Sequence, residues 1–218
     1  MMGKLLRKEL KLGASPLSYA FIAFGLMTLI PGYPISMGAF FVCLGIFQTV
    51  RLNREANDIL YSALLPVAKR DVVRSKYAFA LFIEGCSFLL MAAMAVLRMT
   101  VLVDKMPYVN NVMMPANPVF LGLVLLIFAI FNVVFLGGFF KTAYAYMKPY
   151  FWSGAVALVL IGLGEALGHV PGLEILHSVR RADLAAQFEI LAGSAAVSAL
   201  LTYLSMRRAM RSFERIDL

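Results

Sequence analysis

The sequence predicts an all-α integral membrane protein with six transmembrane helices and both termini on the cytoplasmic side. Three observations carry that expectation. The 218-residue chain is 61% hydrophobic and only 15% charged, with a mean hydropathy of +0.83, whereas a soluble domain carries about 25% charged residues. Long, nearly uncharged runs recur along it, each near the roughly 20 residues a helix needs to cross a hydrocarbon core of about 30 Å. The basic residues fall between alternate runs, as the positive-inside rule requires.

Residues 1–14 open the chain with a basic start. At about 100° per residue, Met2, Leu5, Leu6, Leu10 and Leu12 share one face of a helix, and Lys4, Arg7, Lys8 and Lys11 share the other. That is an interfacial helix lying along the inner leaflet. The basic start and following apolar run also resemble a signal peptide. Glu9, the missing small-x-small cleavage site and the further spans favour a retained anchor. Glu9 lands near the middle of the apolar face. Either it snorkels to water or it pairs with a base in the 69–76 stretch.

Spans 1 and 2 occupy 16–50, as 16–31 and 33–50, joined by the turn Pro31-Gly32-Tyr33-Pro34. They are short, so the expectation is a hairpin that crosses, with re-entry as the alternative. Spans 3 and 4 lie within 77–141 (77–98 and 118–141), and spans 5 and 6 within 150–207 (150–168 and 188–207). A cytoplasmic tail follows at 208–218. This arrangement puts sixteen of the twenty Lys and Arg residues inside and leaves Arg98, Lys105, Arg180 and Arg181 outside. The net charge of +8 is then a matter of topology and anionic lipid, not of nucleic acid. Cys43 and Cys86 both sit in apolar runs and read as small buried hydrophobes.

The connection 51–76 is longer than a membrane hairpin needs. Ala56, Ile59, Leu60, Ala63 and Leu64 share a helical face, with Arg54, Glu55, Asp58, Tyr61 and Ser62 opposite. Pro66 has no N–H to give and disfavours helix at the preceding residue, so the helix stops near Leu65. A second helix restarts around Lys69. The product is a cytoplasmic helix–Pro–helix elbow with a knuckle at Leu64–Asp71.

Here the residues resemble a known family. The stretch L-P-V-A-K-R-D-V-V-R-S-K-Y is similar to the signature LP-(V/I)-(S/T)-R-x-x-I-V-x-x-K-Y of the membrane permease subunits of bacterial type-2 ATP-binding-cassette (ABC) exporters. The opening G-K-L-L-R-K-E-L is similar to their usual start. Ala68 departs from the pattern, since the family has a Ser or Thr there that would cap the restarting helix. The resemblance implies that the elbow is a coupling helix docking into a separate ATPase subunit through Leu65, Pro66, Val67, Lys69, Arg70 and Asp71. The loop Lys141–Tyr150 would be a second, smaller contact. It further implies a bacterial plasma-membrane location and a second permease copy, identical or homologous. The moved substrate would be amphipathic or hydrophobic: a peptide, an antimicrobial, a lipid or a drug.

The chain holds no G-x-x-x-x-G-K-[ST] motif, so nothing in it cradles nucleotide phosphates, and ATP with its Mg would be bound by the partner. No catalytic residue and no metal site is expected. His169 and His177 lie near Glu165 and Glu174, but Pro171-Gly172 interrupts the helix that would align them. Three polar groups stand out in the spans. Glu84 in span 3 would cost about 2.5–3.5 kcal/mol facing lipid, so it should face protein or a wet cavity. Asn132 in span 4 lies at similar depth and is its candidate partner, either as an interhelical clasp or on a substrate path. Glu165, near the outer end of span 5, is a candidate for the exit. A membrane-embedded lipid enzyme would need a cluster of His, Asp or Glu at one face, which the sequence lacks. A non-transporting scaffold or sensor would use the elbow to bind a partner and move nothing.

Overall fold

The computed structural model describes residues 2–58, 61–62, 67–109 and 111–216, and among these it is helical with no strand. Helix α1 (Met2–Lys8) continues as a π-helical turn, Glu9–Gly13, and α2 (Pro16–Ala20) continues as a 3₁₀ helix, Phe21–Leu29. Then come α3 (Met37–Glu55), α4 (Lys69–Leu97, extended by a π turn to Leu102) and the short α5 (Met106–Val109). Helix α6 runs Pro118–Ile130, with a π segment at Phe131–Leu136 and a last turn at Gly137–Phe139; α7 is Met147–Leu167 and α8 is Leu184–Glu214.

Four of these helices are long and apolar enough to cross a membrane: Lys69–Leu102, Pro118–Phe139, Met147–Leu167 and Arg181–Glu214. A fifth is counted if α1 and α2 form one bent span, but they meet at 95°. Ser15 and Pro16 set that corner. The Ser15 hydroxyl accepts from Leu17 N as an N-cap, and Pro16 starts the helix where its missing N–H costs nothing. Helix α1 therefore lies across the end of the bundle instead of extending α2.

The first hairpin differs from a plain helical pair. The 3₁₀ stretch rises about 2.0 Å per residue against 1.5 Å, so α2 reaches roughly 25 Å where an all-α segment of equal length would reach about 21 Å. Helix α3 packs against it at backbone distance. A Cβ on Gly38 would stand 2.7 Å from the Phe24 carbonyl oxygen, so only glycine permits this approach. Ser18 Oγ donates to Gly45 O at 2.7 Å and lies 2.6 Å from Thr49 Oγ1.

Successive long helices run between two ends of the bundle. At one end, Lys76 at the base of α4 reaches Glu9 in the π turn after α1, Lys69 donates to Ile216 O beyond α8 at 2.6 Å, and Arg54 in the last turn of α3 stacks over Tyr144. At the other, Tyr108 donates to Leu29 O at 2.9 Å, Gly32 N donates to Asn111 Oδ1 at 3.0 Å, and Asn117 donates to Leu176 O at 2.8 Å. The turns after α2, α4 and α7 thus meet far from both termini. Helix α6 runs through the centre: 72% of its apolar stretch is buried, against 17% in α7 and 11% in α8. Phe120, Ile127, Phe135 and Phe140 fill the interior around it with Val42, Ile46, Tyr77 and Ile83. Helices α7 and α8 turn Trp152, Val159, Leu163, Val197 and Leu200 outward, as helices sheathed by lipid or a partner do.

One boundary moves from the sequence expectation. The helix that restarts at Lys69 runs into span 3 as expected, but where that span was expected to end at 98 the helical path continues to Leu102. Arg98, expected on the outer side at the end of span 3, is 5% exposed; it donates to Thr28 O at 2.9 Å and lies over the Tyr108 ring.

Candidate functional site

The end of the bundle that carries both termini is organised by a buried charge cluster. Lys76 Nζ donates to Glu9 Oε2 and to Asp58 Oδ2, each at 2.6 Å. The Asn53 amide, turned to suit its neighbours, accepts a third bond from Lys76 at 3.0 Å and donates to Gly13 O at 2.8 Å. All three ammonium donors are therefore used. Lys8 Nζ bonds the other Asp58 oxygen, Ser62 Oγ at 3.0 Å and, more weakly, Glu9 Oε1 at 3.4 Å. Two acids and two bases balance, and three chain segments are pinned together: α1, the stretch after α3, and the base of α4. Glu9 is 1% exposed and does not snorkel. Burial by itself would raise the Asp58 carboxyl, but the charges and hydrogen bonds of Lys76 and Lys8 outweigh it and hold the group below the ordinary carboxylate value.

Asp58 and Ser62 appear on the outer, polar face of a helical wheel, yet the structure turns them inward. The reason is Asn57, whose φ of 53° places the left-handed kink at the end of α3 that redirects the chain. Asn is among the few side chains that tolerate this conformation.

Of the elbow residues, Leu65 and Pro66 lie outside the described residues. Val67 is half-buried and packs on the core. Lys69 and Arg70 engage the chain's own C-terminal end, Lys69 through Ile216 O and Arg70 through the Glu214 carboxylate. Asp71 pairs loosely with Arg74 at 3.4 Å, on an exposed surface. Helix α4 starts at Ala68 without a side-chain cap. Tyr144, in the loop after α6, lies under the Arg54 guanidinium at 3.9 Å, and Tyr150, in the first turn of α7, stacks on Phe47 with ring centres 3.9 Å apart. The loop after α6 and the start of α7 thus pack against α3.

Mid-bundle, the π segment of α6 carries the second polar feature. The Asn132 carbonyl, which accepts the π-type bond from Gly137 N, takes side-chain donors from two neighbouring helices as well. Tyr77 Oη of α4 donates to it at 3.2 Å and Ser205 Oγ of α8 at 3.0 Å, the two hydroxyls lying 2.9 Å apart. The close approach of α8 depends on Gly137, where a Cβ would stand 2.8 Å from Ser205 Oγ. The Asn132 side chain donates to Glu84 Oε2 at 2.9 Å, with both residues buried. Glu84 Oε1, Asn132 Oδ1 and Ser198 Oγ have no hydrogen-bond partner among the described residues. All three residues line one cavity of about 420 Å³ between α4, α6 and α8.

Glu165 lies apart from that cavity. Its Oε2 accepts from Met114 N at 2.8 Å, which anchors the loop between α4 and α6. His169 and His177 face each other edge-on with ring centres 5.3 Å apart and border a second cavity of about 500 Å³ with Arg98 and Asp104. Among the described residues, no three His, Cys, Asp or Glu side chains come close enough to hold a metal ion. Cys43 and Cys86 are free thiols.

Comparison with curated proteins and with solved structures gives no match. A family model described as ABC-2 family transporter protein matches residues 4–214, which takes in α1, the elbow and every long helix. The chain belongs to the ABC-2 family of transporter proteins, as a membrane permease component.

Proposed function

We propose that this chain is the permease subunit of an ATP-driven exporter, with six spans, both termini cytoplasmic, and its ATPase on a separate chain. Family membership supports the permease role and, with it, an ABC ATPase partner. The placement of α1 and the end of α8 at one end of the bundle supports an even number of crossings. Helices α2, α3, α4, α6, α7 and α8 supply six. The basic residues gathered at that end support its cytoplasmic side.

The observation that carries the coupling role is the buried Lys8–Glu9–Asp58–Lys76 cluster. An elbow that transmits force must be fixed to what it moves. Here the stretch leading into the knuckle is bonded to the base of α4, which continues as a rigid helix to the mid-bundle knot. A push on Val67–Asp71, with Leu65 and Pro66, would reach Tyr77 and Glu84 along a single helix. Glu84 and Asn132 are then candidates for the substrate path, with Glu165 holding the outer loop near the exit. An amphipathic or hydrophobic substrate fits a path walled mostly by apolar residues. A second permease copy, identical or homologous, would complete it.

The test replaces Leu65–Asp71 by a Gly/Ser linker. The variant should insert in the membrane and fold, yet no longer bind the ATPase or stimulate its hydrolysis. Stimulation that survives the replacement overturns the assignment.

A further inference from the structure

The cavity between α4, α6 and α8 has a composition that the packing of helices does not require. Its walls are apolar, from Leu81, Phe88, Leu125 and Phe128 among others. The space exists because small residues face it: Gly85 on α4, Ala195 and Ala199 on α8. A Cβ on Gly85 would meet nothing within 4 Å. Three of the residues lining the cavity, Glu84, Asn132 and Ser198, hold a carboxylate oxygen, an amide oxygen and a hydroxyl just beneath its wall, each buried and without a partner among the described residues. Buried acceptors are normally satisfied, because leaving them bare is costly. In the membrane the cost is not relieved by solvent. Three bare acceptors on residues that line one cavity therefore call for a donor-rich partner, reached by a small shift of those side chains.

We propose that this cleft binds the primary ammonium group of an aliphatic amphiphile. An ammonium offers three N–H donors, which matches Glu84 Oε1, Asn132 Oδ1 and Ser198 Oγ in number, and its charge answers that of Glu84. The alkyl body lies along the apolar walls and leaves toward the lipid side past Leu81 and Tyr203, which are both exposed. A volume of about 420 Å³ is within the range of sites for small organic molecules. The inference deepens the exporter reading by naming the chemistry of an occupant and rests on that reading for the role of the site. Two sources share this chemistry: an amine-bearing bilayer lipid and a transported cationic amphiphile.

The experiment uses the full chain in phosphatidylcholine nanodiscs, which contain no primary amine, and a diazirine-bearing dodecylamine as photolabel. Labelled peptides should map to α4 and α8 around Gly85 and Ala199. Unlabelled dodecylamine should compete at least about tenfold better than dodecyltrimethylammonium, which has the same tail and charge but no N–H donor; about tenfold corresponds to one charge-assisted hydrogen bond. Glu84→Gln should lower labelling by a similar factor while its amide oxygen still accepts from Asn132. Gly85→Leu, which fills the cleft without touching the polar trio, should abolish it. Adding phosphatidylethanolamine separates the sources: loss of labelling identifies the lipid, and retained labelling identifies the soluble amphiphile. The proposal is overturned by labelling that dodecylamine does not displace, by equal competition from the quaternary salt, or by wild-type labelling in Glu84→Gln. None of these readouts involves the ATPase, so failure here leaves the exporter reading standing. Loss of ATPase stimulation at the elbow bears only on that reading.

Discussion

Glu9 and Glu84 are both carboxylates buried in an otherwise apolar chain, and the structure treats them in opposite ways. Glu9 sits in a charge-balanced cluster where one lysine spends all its donors on three acceptors. Glu84 has a single amide donor and one bare oxygen beside a cavity. A closed polar cluster fixes geometry; a half-open one leaves chemistry for something else to complete. The contrast separates a cluster that locks three chain segments together from one that leaves acceptors open beside a cavity.

The sharpest way to break the comparison is Lys76→Met. Removing one partner of a buried ion cluster costs about 3–5 kcal/mol, because the remaining charges stay buried. The variant should unfold at lower temperature in detergent by that order, and α1 should become open to limited proteolysis. A loss under about 1 kcal/mol would mean that the two carboxylates are held by other means. Asn132→Leu probes the other region and should cost less, about 1–3 kcal/mol for the lost partner of Glu84. The carbonyl knot with Tyr77 and Ser205 survives that change, so a destabilisation as large as that of Lys76→Met would erase the distinction drawn here.

Acid sharpens the comparison further. The folded state holds Asp58 below its ordinary value of 3.8, so its contribution to stability is present above that value. It is lost as pH falls through the depressed folded value. Thermal scans from pH 6 down to pH 2 should show stability falling in that lowest window, with the fall reduced in Asp58→Asn. The smallest effect is expected at the start of α4. Ala68→Ser supplies the missing cap and should raise stability by about 0.5–1 kcal/mol. A neutral result would show that the first-turn N–H groups are already satisfied by a neighbour.

Much of this was legible along the chain. Pro16, Pro31, Pro34 and Pro118 mark helix starts and turns, because a ring that fixes φ and removes a donor acts locally. The Glu84–Asn132 pairing was a fair expectation from depth alone, since an acid in a span must find a polar group at its own level. The Asp58 contacts were not legible: a helical wheel assumes the helix continues, and Asn57 ends it. The burial of Arg98 and the continuation of its helix to Leu102 were not legible either, as hydropathy marks where the apolar run weakens and not where the helix stops. The engagement of Lys69 and Arg70 with residues 216 and 214 joins positions 147 and 144 apart in sequence, and no local pattern reports such a distance.

The amino-acid sequence by itself determined that this chain is helical, lives in a bilayer and carries a basic, proline-containing stretch between α3 and α4. Those properties follow from hydrophobic length, charge placement and backbone sterics, which act over a few turns of chain. Only the tertiary structure decided which buried charges meet and which are left open. That choice depends on the close approach of helices at Gly38 and Gly137 and on one extra residue in the α6 turn at Asn132. The physical reason is range: desolvation compels every buried polar group to seek a partner, but which partner it reaches is set by how the whole bundle packs.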